Sequence, residues 1–383
     1  MAEHDDNLIM SSFALVNKVL ASKIFHLLEE NKLINNKLVP LELEELIAIP
    51  ILDENTLRSM DWFDDDNIKV QVMQGKIKLE KLIPAKKLEQ EVKAILTNLS
   101  ISISDDLMNN LPVKWEILGD LALIPNDAMN NTYWQDLLLN LNLDEQRLIW
   151  DKIASSIGVI RLGRQNKIAD NQMRTSQVSM LMGDSGVVQF RDNGVIFYLD
   201  VTKVMFSSGN ITERHRIGDI EMENEIIVDA FAGIGYYTLP MLVRSKAKHV
   251  YACEINPDSI TALEQGAKLN NVQDKLTILK GDNRKSMPKL GHIADRVHLG
   301  ILPSSERIWH AAISCLKKQG GIIHIHMNVK EEEIETFTLN CLEKLVKISK
   351  EFGFMGIVSI PHVEKVKWYA PRIRHIVLDA YIQ

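Results

Sequence analysis

The sequence predicts an α/β fold: a doubly wound, seven-stranded sheet in the C-terminal half, preceded by a small α/β domain and an N-terminal α+β extension. Three observations lead there. Residues 225–256, EIIVDAFAGIGYYTLPMLVRSKAKHVYACEIN, read as strand, glycine turn, helix and strand. Beyond them, short β-branched runs alternate with helical periodicity to the end of the chain. The chain is 383 residues long, 46% hydrophobic and 25% charged, which is too long for one core and globular in composition.

The glycine unit points to a ligand. Ile226, Ile227 and Val228 suit one buried strand. The turn Phe231-Ala232-Gly233-Ile234-Gly235 lets backbone approach a ligand closely. Residues 236–245 read as a helix with Pro240 in its first turns, where a missing N–H costs least. A second strand, 249–253, ends on Glu254, an acid about 20 residues past the glycines and so suited to ribose hydroxyls. A dinucleotide fingerprint would place a third glycine at Thr238. Asp229, at the strand end, would repel a pyrophosphate but suits a cationic ligand. S-adenosylmethionine fits: Asp229 near its amino-acid end, Gly233 and Gly235 under the sugar, Glu254 on the ribose. A structural turn or an NAD site is the alternative. Where a third strand should end stands Lys280-Gly281-Asp282-Asn283, which places Asp282 and Asn283 to meet the adenine.

Residues 1–110 form an N-terminal accessory region with no catalytic constellation. Helical spacing runs from Phe13 to Glu30 and again from Lys86 to Leu99, with the acidic run Asp64-Asp65-Asp66 between. Residues 111–202 form a small α/β domain. It has a helix over 133–157 broken near Asn142, then strands at 155–162, 178–182, 187–191 and 195–201, with an Asp192-Asn193-Gly194 hairpin turn. Arg161, Arg164, Lys167 and Arg174 lie on its loops. Residues 152–216 hold 9 Lys/Arg against 5 Asp/Glu, whereas residues 1–100 hold 12 against 17. A basic middle in a chain of net charge −7 is what a localised phosphate-binding face would look like, and chance clustering on a solvated surface would look the same.

The linker 203–217, KVMFSSGNITERHRI, opens the catalytic domain, 203–383. It has a turn at Ser207 and a short helix over 212–217, with Arg214 and Arg216 as forked donors. Helices are predicted at 257–270, 305–317 and 331–350, and strands at 276–279, 295–302, 322–327, 355–360 and 373–382. His324 and His326 share one strand face without a third metal ligand, and read as polar residues of a substrate cleft rather than a metal site. The tail combines Lys365, Lys367, Arg372 and Arg374 with Trp368 and Tyr369, which suits an RNA loop of splayed bases. No apolar run reaches membrane-spanning length, and the N-terminus lacks the charge order of a signal peptide. Cys253, Cys315 and Cys341 are too scattered for a disulfide framework or a zinc site and read as buried thiols. A cytoplasmic monomer without metal is expected.

The strings WEILGDLALIP, DVTKVMFSSGNITER, DAFAGIGYYTLP, ACEINP, GDN, LPSSE, HIHMNV and KVKWYAPR, spread from about Leu111 to the C-terminus, resemble one family. It comprises the tRNA wybutosine-synthesising enzymes and their relative, the tRNA (guanine-N1) methyltransferase of position 37. The resemblance implies a class I methyltransferase-type Rossmann domain and puts Ser207, Arg214, Glu254, Asp282 and Asn283 at cofactor positions. The methyltransferase branch ends its fourth strand on Asn-Leu-Pro, with the asparagine on the guanine; here the string is Ile301-Leu302-Pro303. That departure resembles the branch that transfers the 3-amino-3-carboxypropyl group of S-adenosylmethionine to C7 of 4-demethylwyosine in the anticodon loop of phenylalanine tRNA, releasing 5′-methylthioadenosine. Arg216, Pro303, Lys367, Arg372 and Arg374 are then the tRNA-facing candidates. No general base stands out and none is assigned. Methyl transfer to the same purine, or a tRNA-binding relative without catalysis, are the alternatives.

Overall fold

A computed structural model describes residues 8–18, 20–35, 40–43, 45–60, 62–63, 70–78, 84–166, 176–206 and 208–383. The chain divides into two units, Met1–Gln90 and Glu91–Gln383.

In the first unit β1 (Leu8–Asn17), β2 (Leu41–Leu43), β3 (Leu46–Ile51) and β4 (Gln71–Lys78) form an antiparallel sheet in the order β2-β3-β1-β4, with α1 (Ala21–Glu30) and α2 (Glu54–Arg58) interspersed. The helix expected from Phe13 is therefore two elements. Ala14 and Val16 of β1 enter one core with Ile24 and Leu28 of α1, while Phe13 packs with Ala48 in another cluster. A strand buried on both faces shows no alternation, so its apolar residues mimic helical spacing. Asp64, Asp65 and Asp66 lie outside the described residues.

The second unit begins within α3 (Pro84–Asn98) and includes α4 (Asp105–Met108); then come β5 (Glu116–Leu118), β6 (Leu121–Ile124), α5 (Thr132–Asn140), α6 (Leu143–Ile157), β7 (Arg161–Gln165) and β8 (Val178–Met182), with the sheet order β5-β6-β7-β8. The parallel β6–β7 pair needs a crossover, which α5 and α6 supply. Asn142 starts α6 through a capping box with Glu145, and Gly158 at φ 91 ends it. Residues 155–157 are consequently helix, not the expected strand, which begins at Arg161. β9 (Val187–Asp192) and β10 (Val195–Asp200) form the expected hairpin, with Asn193 and Gly194 at φ 45 and 81. Lys167 and Arg174 lie outside the described residues.

α7 (Ile211–Asp219) leads into the large sheet. Its elements are β11 (Ile226–Asp229), α8 (Thr238–Val243), β12 (His249–Glu254), α9 (Pro257–Leu269), β13 (Leu276–Lys280), α10 (Asn283–Ser286), β14 (Arg296–Leu299), α11 (Trp309–Cys315), β15 (Gly321–Lys330), α12 (Ile334–Glu351), β16 (Val358–Ala370) and β17 (Ile373–Ile382). Strand order is β13-β12-β11-β14-β15-β17-β16, parallel through β15, with β17 antiparallel to both of its neighbours. This is the class I methyltransferase-type Rossmann sheet. Its order reverses between β11 and β14, where open α/β sheets bind ligands. Of the basic and aromatic tail, Lys365, Lys367, Trp368 and Tyr369 stand on the long edge strand β16, Arg372 in the turn that follows and Arg374 on β17.

Alternation sorts the sheet into two faces. On one, Val228, Val297, Leu299, Ile323, Ile325, Ile376 and Leu378 meet Ile313, Cys341 and Leu345 of α11 and α12 in an apolar core. On the other, Ile227, Val250 and Ala252 pack against Leu239 and Leu263 of α8 and α9, and that core also takes in Leu121 of β6 and Phe197 of β10. Toward β17 the second face turns polar. Arg296, His298, His324, His326, His375 and Asp379 are all buried there.

Candidate active site

The glycine turn follows β11 because two of its positions need left-handed backbone: Gly233 has φ 55 and Gly235 φ 96. A Cβ on Gly235 would stand 2.7 Å from Leu239 and Leu263, and one on Gly233 would stand 2.9 Å from the Tyr236 ring. Glu254, at the end of β12, braces this turn. Its carboxylate accepts from Gly233 N at 2.7 Å, Asn256 N at 2.8 Å and Ile255 N at 2.9 Å. Burial raises its pKa above the ordinary carboxylate value despite the three donors. One oxygen takes two of these bonds and the other takes one, so capacity remains for a ribose hydroxyl.

Asp229 is fully buried, which departs from the expected contact with the amino-acid end of a ligand. It accepts from Thr238 Oγ1 at 2.7 Å and Phe231 N at 3.2 Å, tying the strand end to the turn and to the start of α8. Asp282 caps α10 and also holds the guanidinium of Arg284, whose hydrogen bond brings its pKa down to about 2. Asn283 donates to the carbonyl of Ala230 at 2.8 Å, linking the ends of β13 and β11. Glu254, Asp282 and Asn283 thus stand at successive strand ends, as the sequence pattern requires.

Ser207 lies outside the described residues. Arg214 is 2% exposed; it donates to Asp192 at 2.8 Å and its guanidinium lies over the Phe206 and Phe197 rings at 5.1 and 5.5 Å. Burial works to raise the pKa of Asp192, but bonds from His215 and Arg214 outweigh it and the net shift is downward. Arg216 departs from its expected role as a phosphate donor. Its guanidinium hydrogen-bonds both Glu213 and Asp379, at 2.7 Å each for the shortest contacts.

That pair opens a buried polar chain that sequence reasoning touched only at His324 and His326. His324 Nδ1 meets Asp379 at 2.6 Å and its Nε2 meets Arg296 at 2.8 Å, while Arg296 also binds Glu225 at 2.7 Å. Arginine can only donate, so Nε2 accepts, Nδ1 carries the proton and the ring is neutral. Burial, ahead of the opposing pull of Asp379, takes its pKa down to about 4. His326 bridges His298 at 3.1 Å and His375 at 3.0 Å. These histidines are internal, not cleft-lining. Strand alternation alone could have flagged them, since Arg296, His298, His324, His326, His375 and Asp379 all fall on one face.

The basic edge is partly committed as well. Arg374 and Lys365 both bind Glu331, at 2.7 and 2.8 Å, and Arg374 stacks 3.8 Å from the Trp368 ring centroid. Arg372 is exposed at the β16–β17 turn with φ 63, and Pro303 is exposed after β14. Burial lowers the pKa of Lys367, which makes no ion pair among the described residues. The three thiols are buried and pushed up to about 12. Among the described residues no group of side chains is arranged to hold a metal, and no helix is long and apolar enough to cross a membrane.

Two family models match the second unit: the TRM5/TYW2 methyltransferase domain over residues 188–354 and the TYW2 N-terminal domain over residues 95–186. The Danio rerio tRNA wybutosine-synthesizing protein 2 homolog is 37% identical over 324 residues, covering 76% of this chain and 77% of that protein. The Arabidopsis thaliana tRNA wybutosine-synthesizing protein 2/3/4 is 42% identical over 296 residues; 77% of this chain aligns, spanning 28% of the larger plant protein. The crystal structure of P. horikoshii TYW2 in complex with MeSAdo superposes with a TM-score of 0.61 at 29% identity, covering 77% of this chain and 98% of that one. The sheet order, the glycine turn braced by Glu254 and these similarities agree: the chain belongs to the tRNA wybutosine-synthesizing protein 2 family.

Proposed function

We propose that this protein transfers the 3-amino-3-carboxypropyl group of S-adenosylmethionine to C7 of 4-demethylwyosine at position 37 of phenylalanine tRNA, releasing 5′-methylthioadenosine. One observation carries the choice of transferred group: the loop after β14 reads Ile301-Leu302-Pro303, with no side-chain amide where a guanine-N1 methyltransferase places one. The family membership supports the same reading.

The residues present fit the donor. The turn at Gly233 and Gly235 has no room for side chains of its own, and Glu254 retains acceptor capacity beside it. Glu254 would hold the ribose, and Asp282 with Asn283 the adenine. Asp229 contributes negative potential through the turn it ties, without contact. Arg214, locked by Asp192 and two rings, fixes the start of α7 and the 208–210 turn that leads into it. We assign it a positioning role.

The donor's sulfonium activates each carbon bonded to sulfur, so the protein's task is to choose one by orientation. The base carbon forms a C–C bond to the γ-carbon as the C–S bond breaks, and its ring proton is lost. Misplacing the reacting carbon by about 1 Å can cost about a hundredfold in rate. Residues 203–383 supply this chemistry; residues 111–202 link it to the tRNA, with residues 1–110 as an accessory region. Pro303 and the exposed Arg372 face the RNA.

Two preparations of S-adenosylmethionine, labelled at the methyl or in the carboxypropyl chain, test the proposal on tRNA bearing 4-demethylwyosine. Carboxypropyl label in the tRNA, with methylthioadenosine released, is expected. Methyl label in the tRNA would hand the function to a methyltransferase.

A further inference from the structure

Beyond the groups already placed, one set of polar atoms near the acceptor side has no partner. Both side-chain atoms of Asn328, the amide nitrogen and the oxygen, are buried with no hydrogen bond among the described residues, and so is Nδ1 of His375. Asn328 stands opposite His375 in the β15–β17 ladder, and His375 opposite Lys367 in the β17–β16 ladder. Opposed residues share a face, so the three side chains form one row. Lys367 reaches over the 208–210 turn: its Nζ lies 2.2 Å from where a Cβ on Gly209 would stand.

At its Asn328 end the row reaches the carboxyl side of the sheet, while His375 behind it stays fully buried. β14 ends at Leu299, opposite Ile325, whereas β15 runs on to Lys330. Asn328 is therefore three residues beyond the last rung, past the carboxyl end of its neighbour strand, where open α/β sheets take ligands. It is fastened to the loop after β14. Its backbone N–H donates to the carbonyl of Pro303 at 2.9 Å, and the adjacent Met327 bridges Ser304.

A buried amide left without hydrogen bonds costs about 1–3 kcal/mol, so an unused donor and acceptor held here need a reason. We propose that the Asn328 amide positions the tricyclic base, donating to its ring carbonyl oxygen. This rests on the substrate proposed above. In a tricycle built across the N1–N2 edge of guanine, the old N1 can no longer donate, and it joins the carbonyl carbon to the reacting carbon. The carbonyl oxygen is thus the acceptor nearest C7, and a donor on it fixes where C7 points. Asn328 supplies, from the strand next to β14, the amide that Ile301 lacks. It is a substrate-positioning residue that acts on alignment for transfer, not on cofactor binding.

The test replaces Asn328 by leucine, close in volume and apolar, and separately by alanine, which removes any risk of overpacking. Transfer kinetics on demethylwyosine tRNA, S-adenosylmethionine affinity and thermal unfolding are measured for each and for the wild type. Loss of one positioning hydrogen bond should lower kcat about ten- to thirtyfold. Cofactor affinity should stay unchanged, and the Tm of Asn328→Leu should be equal or higher because an unsatisfied amide has gone. Unchanged transfer in both variants overturns the assignment. So does a lowered Tm with transfer unchanged, the mark of an amide satisfied by water. Activity that falls only in proportion to the folded fraction overturns it too. Failure of the wild type to make the aminocarboxypropyl product sinks the proposed function itself, a result distinct from all of these.

Discussion

Glu254 carries two duties that one substitution can separate. Its oxygens accept from Ile255 N, Asn256 N and Gly233 N in the free protein, and by proposal from the ribose when the donor binds. Glu254→Gln keeps the shape but has one oxygen. If that oxygen stays on Ile255 and Asn256, the new NH2 group faces the Gly233 N–H across a 2.7 Å gap, donor against donor. The orphaned N–H costs about 1–3 kcal/mol in the free and bound protein alike, so it registers as lost stability. For a unit of this size that is about 2–4 °C of Tm per kcal/mol. The ribose loses a charge-assisted partner worth about 1.5–3 kcal/mol and gains at best a neutral one, so only this difference registers as affinity. That difference is about 1–1.5 kcal/mol, so S-adenosylmethionine should bind about five- to tenfold more weakly, read by titration calorimetry beside thermal unfolding of the free protein. A lowered Tm with normal affinity would refute the ribose role and leave Glu254 as a brace of the turn. Normal values of both would refute the geometry.

Acid should destabilise the fold through its internal histidines. Burial holds His324 and His375 at about 4 against about 6.5 unfolded, and lowers His326 as well, so the unfolded chain binds more protons between those values. Stability is then present above pH 6.5 and lost as pH falls toward 4, by up to about 3 kcal/mol for each histidine at about 4. Denaturant titrations at pH 7.5 and 5.0 check this, and equal unfolding free energies would contradict it. On the RNA side, Arg372→Glu should raise the KM for tRNA and reduce the salt slope by about one phosphate contact, with cofactor affinity intact. Arg374→Glu is the weaker probe because it also breaks the Glu331 pair and the Trp368 stack; a silent Arg372→Glu would place the tRNA elsewhere.

The sequence exposed elements whose signals are local. Positive φ at Gly233 and Gly235, the Asn142 capping box and the Asn193-Gly194 turn each need particular residue types at fixed offsets, and each appears where those residues stand. The strand-end series Glu254, Asp282, Asn283 was legible for the same reason, since one alternating pattern delivers it. What stayed hidden depends on partners distant in sequence. Nothing near Phe13 says that its segment pairs with both β3 and β4, and buried on two faces it loses the alternation that marks a strand. Arg216 looked like a free cation because Asp379, one of its two carboxylate partners, is 163 residues away. Asp229 looked like a ligand contact because its burial under Thr238 follows from the turn closing over it.

The polar half of the sheet bears on why α7 sits where it does. Replacing a buried ion-pair network by well-packed apolar residues is often neutral or stabilising, so Glu213, Arg216, Asp379, His324, Arg296 and Glu225 are weak evidence for stability. What a fully paired network supplies is a single geometry, because breaking any one pair strands a charge. On the other half, β11 to β13 meet α8 and α9 through apolar side chains that tolerate small shifts, and the proposed nucleotide site is built there from backbone and strand ends. α7 instead joins the sheet through Arg216 to Asp379 on β17. The same helix carries Arg214, two residues earlier, pinned to Asp192 and stacked on Phe197 and Phe206. A helix fixed at both of these points cannot rotate or slide without leaving a buried arginine unpaired. Its N-terminal turn, which would border the transferred group, is therefore held in register with β14 and β15, where the base would be presented. Because the donor offers more than one reactive carbon on the same sulfur, register between donor side and acceptor side is the quantity that selects the transferred group.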